Sequence, residues 1–386
     1  MRRAEILIVG AGPAGTAAAI TLARAGADVL IFDHSHPREK FCAGGIPIES
    51  WECMRDFGVE DCPRWPADIA HIKSPRGDLI EVISPVPAGF VVSRLEFDGF
   101  LLARAREAGA THIPERVVEI TEERSGFSVR TPEGVYEGGM LIGADGVRSL
   151  ARKTLVGPIP MEHRGLCVGA SVPTEDPGSR VLIDFFSADG YVGYFWIFPA
   201  RGQFNIGIGS YYLKPARMRE IFLREARAHG FDTGQIRMRA AQLPIAKRAS
   251  FFDLPLSGDR WALVGDAAGH VISITGEGIG NAVRDGLIAA RTAMSGSLRG
   301  YGAAWEERCG SCLKTSARML PFFKGPLLNA GIWALAGTEV GSRMGWMLLN
   351  GLAHELVTIR TAALLPRLVQ QRIAAARDIR KKGSRP

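Results

Sequence analysis

A loop with the sequence PREKFCAGGIP, at residues 37–47, places a thiol close to two glycines. Cys42 could serve as a metal ligand, a nucleophile, one half of a disulfide, or only a small residue in a tight turn. The chain has six cysteines among 386 residues, and its only closely spaced pair is Cys309 and Cys312. So few cysteines indicate a reducing, cytoplasmic setting and not a disulfide framework. The role of Cys42 therefore depends on what the loop faces.

The segment before this loop predicts a nucleotide site. Residues 5–33 read as an apolar strand, a glycine-rich turn, a helix, and a second strand that ends at Asp33. In the turn, Gly10 permits the sharp bend, Gly12 lets the backbone approach a pyrophosphate, and Gly15 lets helix and strand pack closely. The N-terminus of the helix offers unpaired N–H groups to phosphates. Asp33 lies where an acid can accept hydrogen bonds from a ribose.

Two later stretches favour FAD over NAD as the dinucleotide. Residues 141–149 form a predicted strand that runs into Gly-Ala-Asp-Gly, and residues 261–291 contain another strand that ends at Gly265 and Asp266. The following loop leads into Gly-Glu-Gly-Ile-Gly at 276–280, which opens a helix. The N-terminus of that helix can face the electron-rich N1–C2=O edge of a flavin. Asp266 is placed to bind a ribitol hydroxyl.

These three stretches resemble the fingerprints of the FAD-dependent hydroxylase superfamily, which has the para-hydroxybenzoate hydroxylase fold. The resemblance covers roughly residues 1–300. It implies an α/β fold: a Rossmann-like domain with tightly but non-covalently bound FAD, and an α+β second domain whose antiparallel sheet covers the substrate. The segment SRLEFDGFLLARA at 93–105 also fits, and the resemblance implies that Arg94 contacts FAD.

The resemblance leads to a division of the chain and a set of predicted cofactor contacts. We place the FAD-binding domain at residues 1–70, 95–155 and 255–300, the antiparallel-sheet substrate domain at 71–94 and 156–254, and a helical C-terminal region at 301–386. The residues predicted to contact FAD are Gly10, Gly12, Ala14, Gly15, Asp33, Cys42, Ala43, Gly45, Arg94, Val117, Gly265, Asp266, Gly276, Gly278 and Ile279.

An aromatic segment narrows the family. In residues 191–199, Tyr194, Trp196 and Phe198 alternate, so in a strand they project to one face. Y-x-W-x-F-P followed by the Gly-Ile-Gly of 207–209 is similar to the signature of the geranylgeranyl reductases, FAD-dependent enzymes that saturate isolated double bonds of prenyl chains. CAGGIP and GDAAGHVISITGEGI are similar to two further motifs of that group. The resemblance implies that the three aromatic residues bind the substrate chain.

The branch within this group stays open. The group includes archaeal membrane-lipid reductases, chlorophyll and bacteriochlorophyll geranylgeranyl reductases, and menaquinone side-chain reductases of isoprenoid lipid biosynthesis. Many of them carry a proline where this chain has Ser273. The alternative enzymes are an FAD-dependent monooxygenase, a halogenase or a quinone oxidoreductase of the same superfamily. A prenyl-binding escort protein without FAD would have no reason to keep Gly12, Asp33 and Asp266 together.

The chemistry sets requirements for the site. An isolated alkene is a poor hydride acceptor, so a proton must reach the second carbon as hydride arrives, in a dry site that contains one acid. Cys42, Tyr194 and an ordered water are the candidate proton donors, and His270 is a weaker one. We expect Cys42 to lie beside the flavin at the mouth of the prenyl site. The electron donor, NAD(P)H or ferredoxin, is not determined by the sequence.

The composition bears on partners. The net charge is +7, and residues 360–386 hold eight basic residues against one acid. This tail indicates a solvated helix face or attraction to anionic lipid, whereas nucleic acid is not expected because no aromatic residues are interleaved. No apolar stretch reaches the roughly 18 residues of a spanning helix. We expect a cytoplasmic protein and, as a second expectation, one that lies peripherally on the inner face of the membrane. We expect no metal site, since a single CxxC is a weak signal of metal binding.

Overall fold

The computed structural model describes residues 2–83, 87–188, 191–210, 214–322 and 325–349. Its strands, in chain order, are β1 (Arg2–Val9), β2 (Val29–Phe32), β3 (Gly45–Pro47), β4 (Trp65–Ala67), β5 (Ile69–Lys73), β6 (Leu79–Ile83), β7 (Gly89–Val91), β8 (Thr111–Ile113), β9 (Glu119–Glu123), β10 (Gly126–Arg130), β11 (Val135–Gly143), β12 (Arg164–Pro173), β13 (Arg180–Ala188), β14 (Tyr191–Ala200), β15 (Gln203–Ser210), β16 (Arg239–Pro244) and β17 (Trp261–Leu263). Its α-helices are α1 (Pro13–Arg24), α2 (Ile48–Glu52), α3 (Arg94–Glu107), α4 (Leu150–Leu155), α5 (Pro215–Ala228), α6 (Ile279–Ala293), α7 (Tyr301–Trp305), α8 (Ser311–Met319), α9 (Gly325–Leu335) and α10 (Glu339–Leu349).

The first large sheet carries the predicted dinucleotide turn. Its strands follow the order β8-β2-β1-β11-β10-β9, and β17 pairs with the end of β11. The pairs of β1 with β2 and with β11 are parallel. Successive residues of β1 and β2, such as Leu7 and Ile8, are fully buried on both faces of the sheet, which is the pattern of a parallel sheet covered on both sides. The predicted Rossmann-like α/β fold is confirmed.

The second large sheet follows the order β16-β12-β15-β14-β13-β5-β6. The prediction of an antiparallel sheet is correct for every pair except β13 and β5, which are parallel. The reason lies in the chain path, because more than a hundred residues separate β5 from β13 and no hairpin dictates their direction. A third, small sheet of β3, β7 and β4 lies next to the loop that carries Cys42.

The two faces of the second sheet have different neighbours. On one face, Phe195 and Ile208 pack against Ile221 and Phe222 of α5. Alternation then turns Tyr194, Trp196 and Phe198 to the opposite face, where they line a cavity shared with the dinucleotide turn. The second sheet therefore presents its aromatic strand to the first.

The helices after residue 300 pack on both parts of the molecule, because α8 contacts Ala249–Asp253 and α10 contacts β6 of the second sheet. A π-helical segment, Glu306–Gly310, joins α7 to α8 and buries Cys309. Within the described residues, none of the helices combines the length and apolarity needed to cross a membrane. The basic tail of 360–386 lies outside the described residues. The domain boundaries given above stay a prediction.

Candidate functional site

A cavity of about 610 Å³ lies between the two large sheets. Five segments meet there: the turn after β1, the loop before β3, the end of β11, the aromatic strand β14, and the loop before α6. Of the residues predicted from the sequence, the following line it: Gly10, Gly12, Ala14, Asp33, Cys42, Ala43, Gly45, Arg94, Val117, Tyr194, Trp196, Phe198, Asp266, Gly276, Gly278 and Ile279.

Two of the predicted residues, Gly15 and Gly265, lie behind this lining. A Cβ atom on Gly15 would overlap the carbonyl oxygen of Gly10, so the residue allows helix and strand to pack as expected. Gly265 has a φ of +59°, and a Cβ there would come 3.1 Å from the Cβ of Ala14. Both glycines therefore allow neighbouring elements to pack closely, and neither lines the cavity.

The dinucleotide turn presents an anion site. α1 begins at Pro13, and no side chain caps its N-terminus. The guanidinium of Arg38 stands opposite, since a Cβ on Gly12 would come within 2.9 Å of its Nη2. Unpaired helix N–H groups together with an arginine suit a pyrophosphate. The sequence reasoning missed Arg38, whose only signal was its place in the basic start of the PREKF segment.

Asp33, at the end of β2, is held as a carboxylate. Its Oδ2 accepts the amide N–H of Ala11 at 2.9 Å, and its Oδ1 accepts the N–H and hydroxyl of Ser35. Burial raises its pKa, but the hydrogen bonds from Ser35 and Ala11 outweigh that effect and the net pKa is lowered. Oδ2, which accepts one of these bonds, keeps acceptor capacity for a ribose hydroxyl.

A second carboxylate, Asp266, follows β17 and pairs across the cavity. Its Oδ2 lies 2.6 Å from Nζ of Lys40, which belongs to the Cys42 loop. Burial raises its pKa, yet the charge of Lys40, with smaller contributions from Arg94 and Arg38, lowers the net value. The ion pair therefore ties the Cys42 loop to the residue predicted to bind ribitol, and Lys40 was not foreseen.

Arg94 belongs to a buried charge network. Its Nε and Nη2 donate to the two oxygens of Asp98, at 2.8 and 2.7 Å, and Arg38 donates to the same carboxylate at 2.9 and 2.7 Å. Asp98 is fully buried. Burial raises its pKa, but the two arginines outweigh burial and lower it. Asp98 was also missed, although the spacing of Arg94 and Asp98 on α3 is that of a helical ion pair.

The Cys42 loop presses against protein on two sides. Gly44 has a φ of +78°, and a Cβ there would overlap the carbonyl oxygen of Val92. A Cβ on Gly45 would come 2.6 Å from Cε2 of Phe198. The half-buried Cys42 accepts the N–H of Gly44 at its sulfur, 3.4 Å away. Gly45 thus lets the loop lie against Phe198 of β14, and Gly44 lets it lie against Val92; the sequence had not indicated either contact.

The aromatic strand is fixed by its neighbours. A Cβ on Gly207 would overlap the indole ring of Trp196, so this glycine seats the ring. Trp196 Nε1 donates to Asn205 Oδ1 at 2.9 Å, and Asn205 Nδ2 donates to the carbonyl of Cys42 at 2.6 Å. The Gly-x-Gly motif therefore provides room for aromatic rings, and Asn205 links Trp196 to the Cys42 loop.

Tyr194 and Glu277 both make hydrogen bonds that hold the loop before α6 and the first turn of that helix. The Tyr194 hydroxyl donates to the carbonyl of Thr275 at 2.7 Å. Glu277 lines the cavity, and its carboxylate accepts the N–H of Gly280 and the amide of Asn281. Burial raises the pKa of Glu277. These bonds fix the helix N-terminus that the sequence placed beside the flavin.

The remaining candidates lie away from the cavity. His270 is fully buried, with Nδ1 2.6 Å from Asp285 Oδ2 and its ring stacked on Trp305 at 4.1 Å. It therefore packs in the core and does not line the cavity, so it is not placed to donate a proton there. In the part of the chain that the structure describes, no three His, Cys, Asp or Glu side chains gather as metal ligands, and Cys309 and Cys312 form no disulfide.

Comparison with known proteins identifies the family of this chain. The family model described as FAD binding domain matches residues 3–305. The chain is 34% identical over 352 residues to a menaquinone reductase of Mycobacterium tuberculosis, covering 82% of this chain and 83% of the relative. It is 29% identical over 391 residues to digeranylgeranylglycerophospholipid reductase 2 of Methanopyrus kandleri, covering 91% and 90%.

A solved structure shows the same fold. A geranylgeranyl bacteriochlorophyll reductase-like protein of Thermoplasma acidophilum superposes with a TM-score of 0.75 at 20% identity, covering 95% of this chain and all of that one. The site and these matches define an FAD-binding protein of the para-hydroxybenzoate hydroxylase-like fold, and the chain belongs to the geranylgeranyl reductase family of FAD-dependent reductases. FAD is its cofactor.

Proposed function

We propose that this protein saturates isolated C=C bonds of a geranylgeranyl or related prenyl chain. The observation that carries the proposal is the position of Tyr194, Trp196 and Phe198, which line the same cavity as the dinucleotide turn. An apolar chain lying along these rings would lie next to the Cys42 loop. The names of the Methanopyrus and Mycobacterium relatives support a reductase that acts on a prenyl lipid or a quinone.

The chain's own residues supply three functions. The aromatic rings exclude water from the alkene and stabilise positive charge that develops on its tertiary carbon. Asp33, Arg38, Asp266 and the N-terminus of α1 would hold the dinucleotide. When bound and reduced, FAD supplies hydride equivalents at its N5.

Cys42 is the proton donor that the geometry favours. Its thiol contacts the buried guanidinium of Arg94, and an arginine beside the sulfur can stabilise the thiolate left after proton transfer. The hydroxyl proton of Tyr194, by contrast, is held by the carbonyl of Thr275. Tyr194 then serves to position the loop, and a water molecule would return the proton to Cys42.

The electron donor and the membrane belong to the proposal as well. NAD(P)H or ferredoxin would reduce the flavin, and the substrate would be a prenyl-chain lipid or a prenyl diphosphate. The net charge of +7 suits an acidic ferredoxin as well as an anionic membrane surface. We therefore expect a cytoplasmic protein that associates peripherally with the inner face of the membrane.

Product analysis tests the proposal. The purified holoprotein should release FAD on denaturation. Reduced without oxygen and given geranylgeranyl diphosphate or a geranylgeranylated lipid, it should form products heavier by steps of two hydrogens. Unchanged prenyl substrates, with oxygen-dependent hydroxylation or halogenation of an aromatic compound, would instead support the alternative enzymes. Colourless protein prepared with flavin supplied would exclude all of them.

A further inference from the structure

The cavity has an apolar end beyond the aromatic strand, which we name the alanine end. It consists of Ala67, Ala70, Ala88 and Val181. In the second sheet β5 lies two strands from β14, so Ala70 is about 10 Å from the aromatic strand. This distance is on the scale of two isoprene units of an extended chain.

The strand register places this end and the aromatic strand on one face. Ile183 is opposite Trp196, and Val181 is opposite Ala70. Because alternate residues of a strand share a face, Trp196, Ile183, Val181 and Ala70 form a continuous surface toward the cavity. A chain that lies along Trp196 can therefore continue to Ala70.

The four residues of the alanine end are buried. Ala70 is 3% exposed and Val181 is 6% exposed, although both line the cavity. Beyond Ala70, α10 packs on the same face of the sheet, where a Cβ on Gly345 would come 2.6 Å from Cγ2 of Val82. Loss of hydration in such a place would be costly for a charged head group, whereas it is favourable for the apolar terminal isoprene unit of a prenyl chain.

We propose that the alanine end holds the terminal isoprene unit of the substrate and limits the length of chain that the protein accepts. This inference rests on the proposed function. Three of the four lining residues are alanines, so a larger side chain in place of any of them would occupy part of the cavity. A phenyl ring in place of the Ala70 methyl has about the volume of one isoprene unit and would fill that room in a close-packed interior.

The test compares Ala70→Phe and Ala70→Leu with the unmodified holoprotein on geranyl, farnesyl and geranylgeranyl diphosphate. We expect Ala70→Phe to lower kcat/KM for the longest chain by about 10-fold to 100-fold and to change that for the shortest by less than about 3-fold. Ala70→Leu should also lower kcat/KM most for the longest chain and least for the shortest, but by a smaller factor. Ala240→Phe, at an exposed site on β16, is the matched control and should not alter chain-length preference.

The outcomes separate the two proposals. If the unmodified protein reduces none of the three diphosphates and no geranylgeranylated lipid, the proposed function is wrong. If it reduces them but both Ala70 variants lower the rate equally for every chain length while FAD stays bound, the proposed function stands and the assignment of the alanine end is wrong. A shift of substrate preference toward shorter chains supports the assignment, because general destabilisation of the protein would not depend on the length of the substrate chain.

Discussion

The dinucleotide side of the cavity is built from charged groups that pair with one another, whereas its substrate side is built from rings seated on glycines. On the first side, Arg38, Arg94 and Asp98 form one buried network. On the second, Trp196 lies over Gly207. Buried charges are tolerated only when each has a partner, while apolar groups require only complementary shape. The two sides should therefore fail in different ways when they are changed.

The largest expected effect is on the charged side. Asp98→Asn leaves the buried guanidinium of Arg94 without an opposing charge, which costs about 3–5 kcal/mol in the free energy of unfolding. FAD should be lost as well, because Arg38 loses the carboxylate that holds it over Gly12. Urea unfolding and the flavin content of the purified variant measure both effects.

Asp61→Asn provides the matched control. Asp61 pairs with Arg104 at the surface, with 74% of its side chain exposed, so its loss should leave the free energy of unfolding nearly unchanged. Equal losses in the two variants would contradict the claim that the Asp98 network is what holds this side of the cavity.

Cys42 lies where the two sides meet. Cys42→Ala should keep FAD bound and lower turnover by about 100-fold, the scale of a lost general acid. Tyr194→Phe should lower turnover only a few-fold, because that hydroxyl positions the loop through Thr275. Steady-state kinetics of both variants measure the difference. Unaltered kinetics in Cys42→Ala would return the residue to the role of a small residue in a tight loop.

A smaller effect is expected on the aromatic side. Gly207→Ala places a methyl group into the ring of Trp196, and such overpacking costs about 1–3 kcal/mol. Turnover should fall while FAD remains bound, because the network around Asp98 is untouched. Gly209→Ala is the control on the same face of the same strand, since its Cβ would lie 3.4 Å from Cζ of Tyr194, an ordinary contact. Loss of flavin from Gly207→Ala would show that the two sides are not independent.

The smallest effect concerns a histidine outside both sides. Burial lowers the pKa of His163, and its Nδ1 accepts the amide N–H of Lys247 at 3.0 Å. The unfolded chain binds a proton near the ordinary pKa of about 6.5, while the folded chain resists it, so His163 makes stability fall as pH drops below that value. His163→Asn should flatten the decline in Tm between about pH 7 and pH 5. An unchanged slope would contradict this assignment.

The sequence predicted those parts of the site that are local along the chain. The turn from Gly10 to Gly15 with Asp33, and the alternation that puts Tyr194, Trp196 and Phe198 on one face of β14, each lie within one short segment whose spacing carries the information. The ion pairs made by the loop at residues 37–47 could not be predicted in this way. Lys40 and Asp266 are 226 positions apart, and Arg38 and Asp98 are 60 apart, so only the folded chain brings them together. The parallel pair of β5 and β13 escaped prediction for the same reason.

The most direct test of the account is an anaerobic single-turnover experiment. Holoprotein is reduced without oxygen until its yellow absorption is lost, and geranylgeranyl diphosphate is then added. The account predicts that the absorption returns and that each flavin reoxidised corresponds to one double bond saturated, with two hydrogens gained in the product. Flavin that stays reduced beside unchanged geranylgeranyl diphosphate and a geranylgeranylated lipid, and that reacts only when air is admitted, would contradict it.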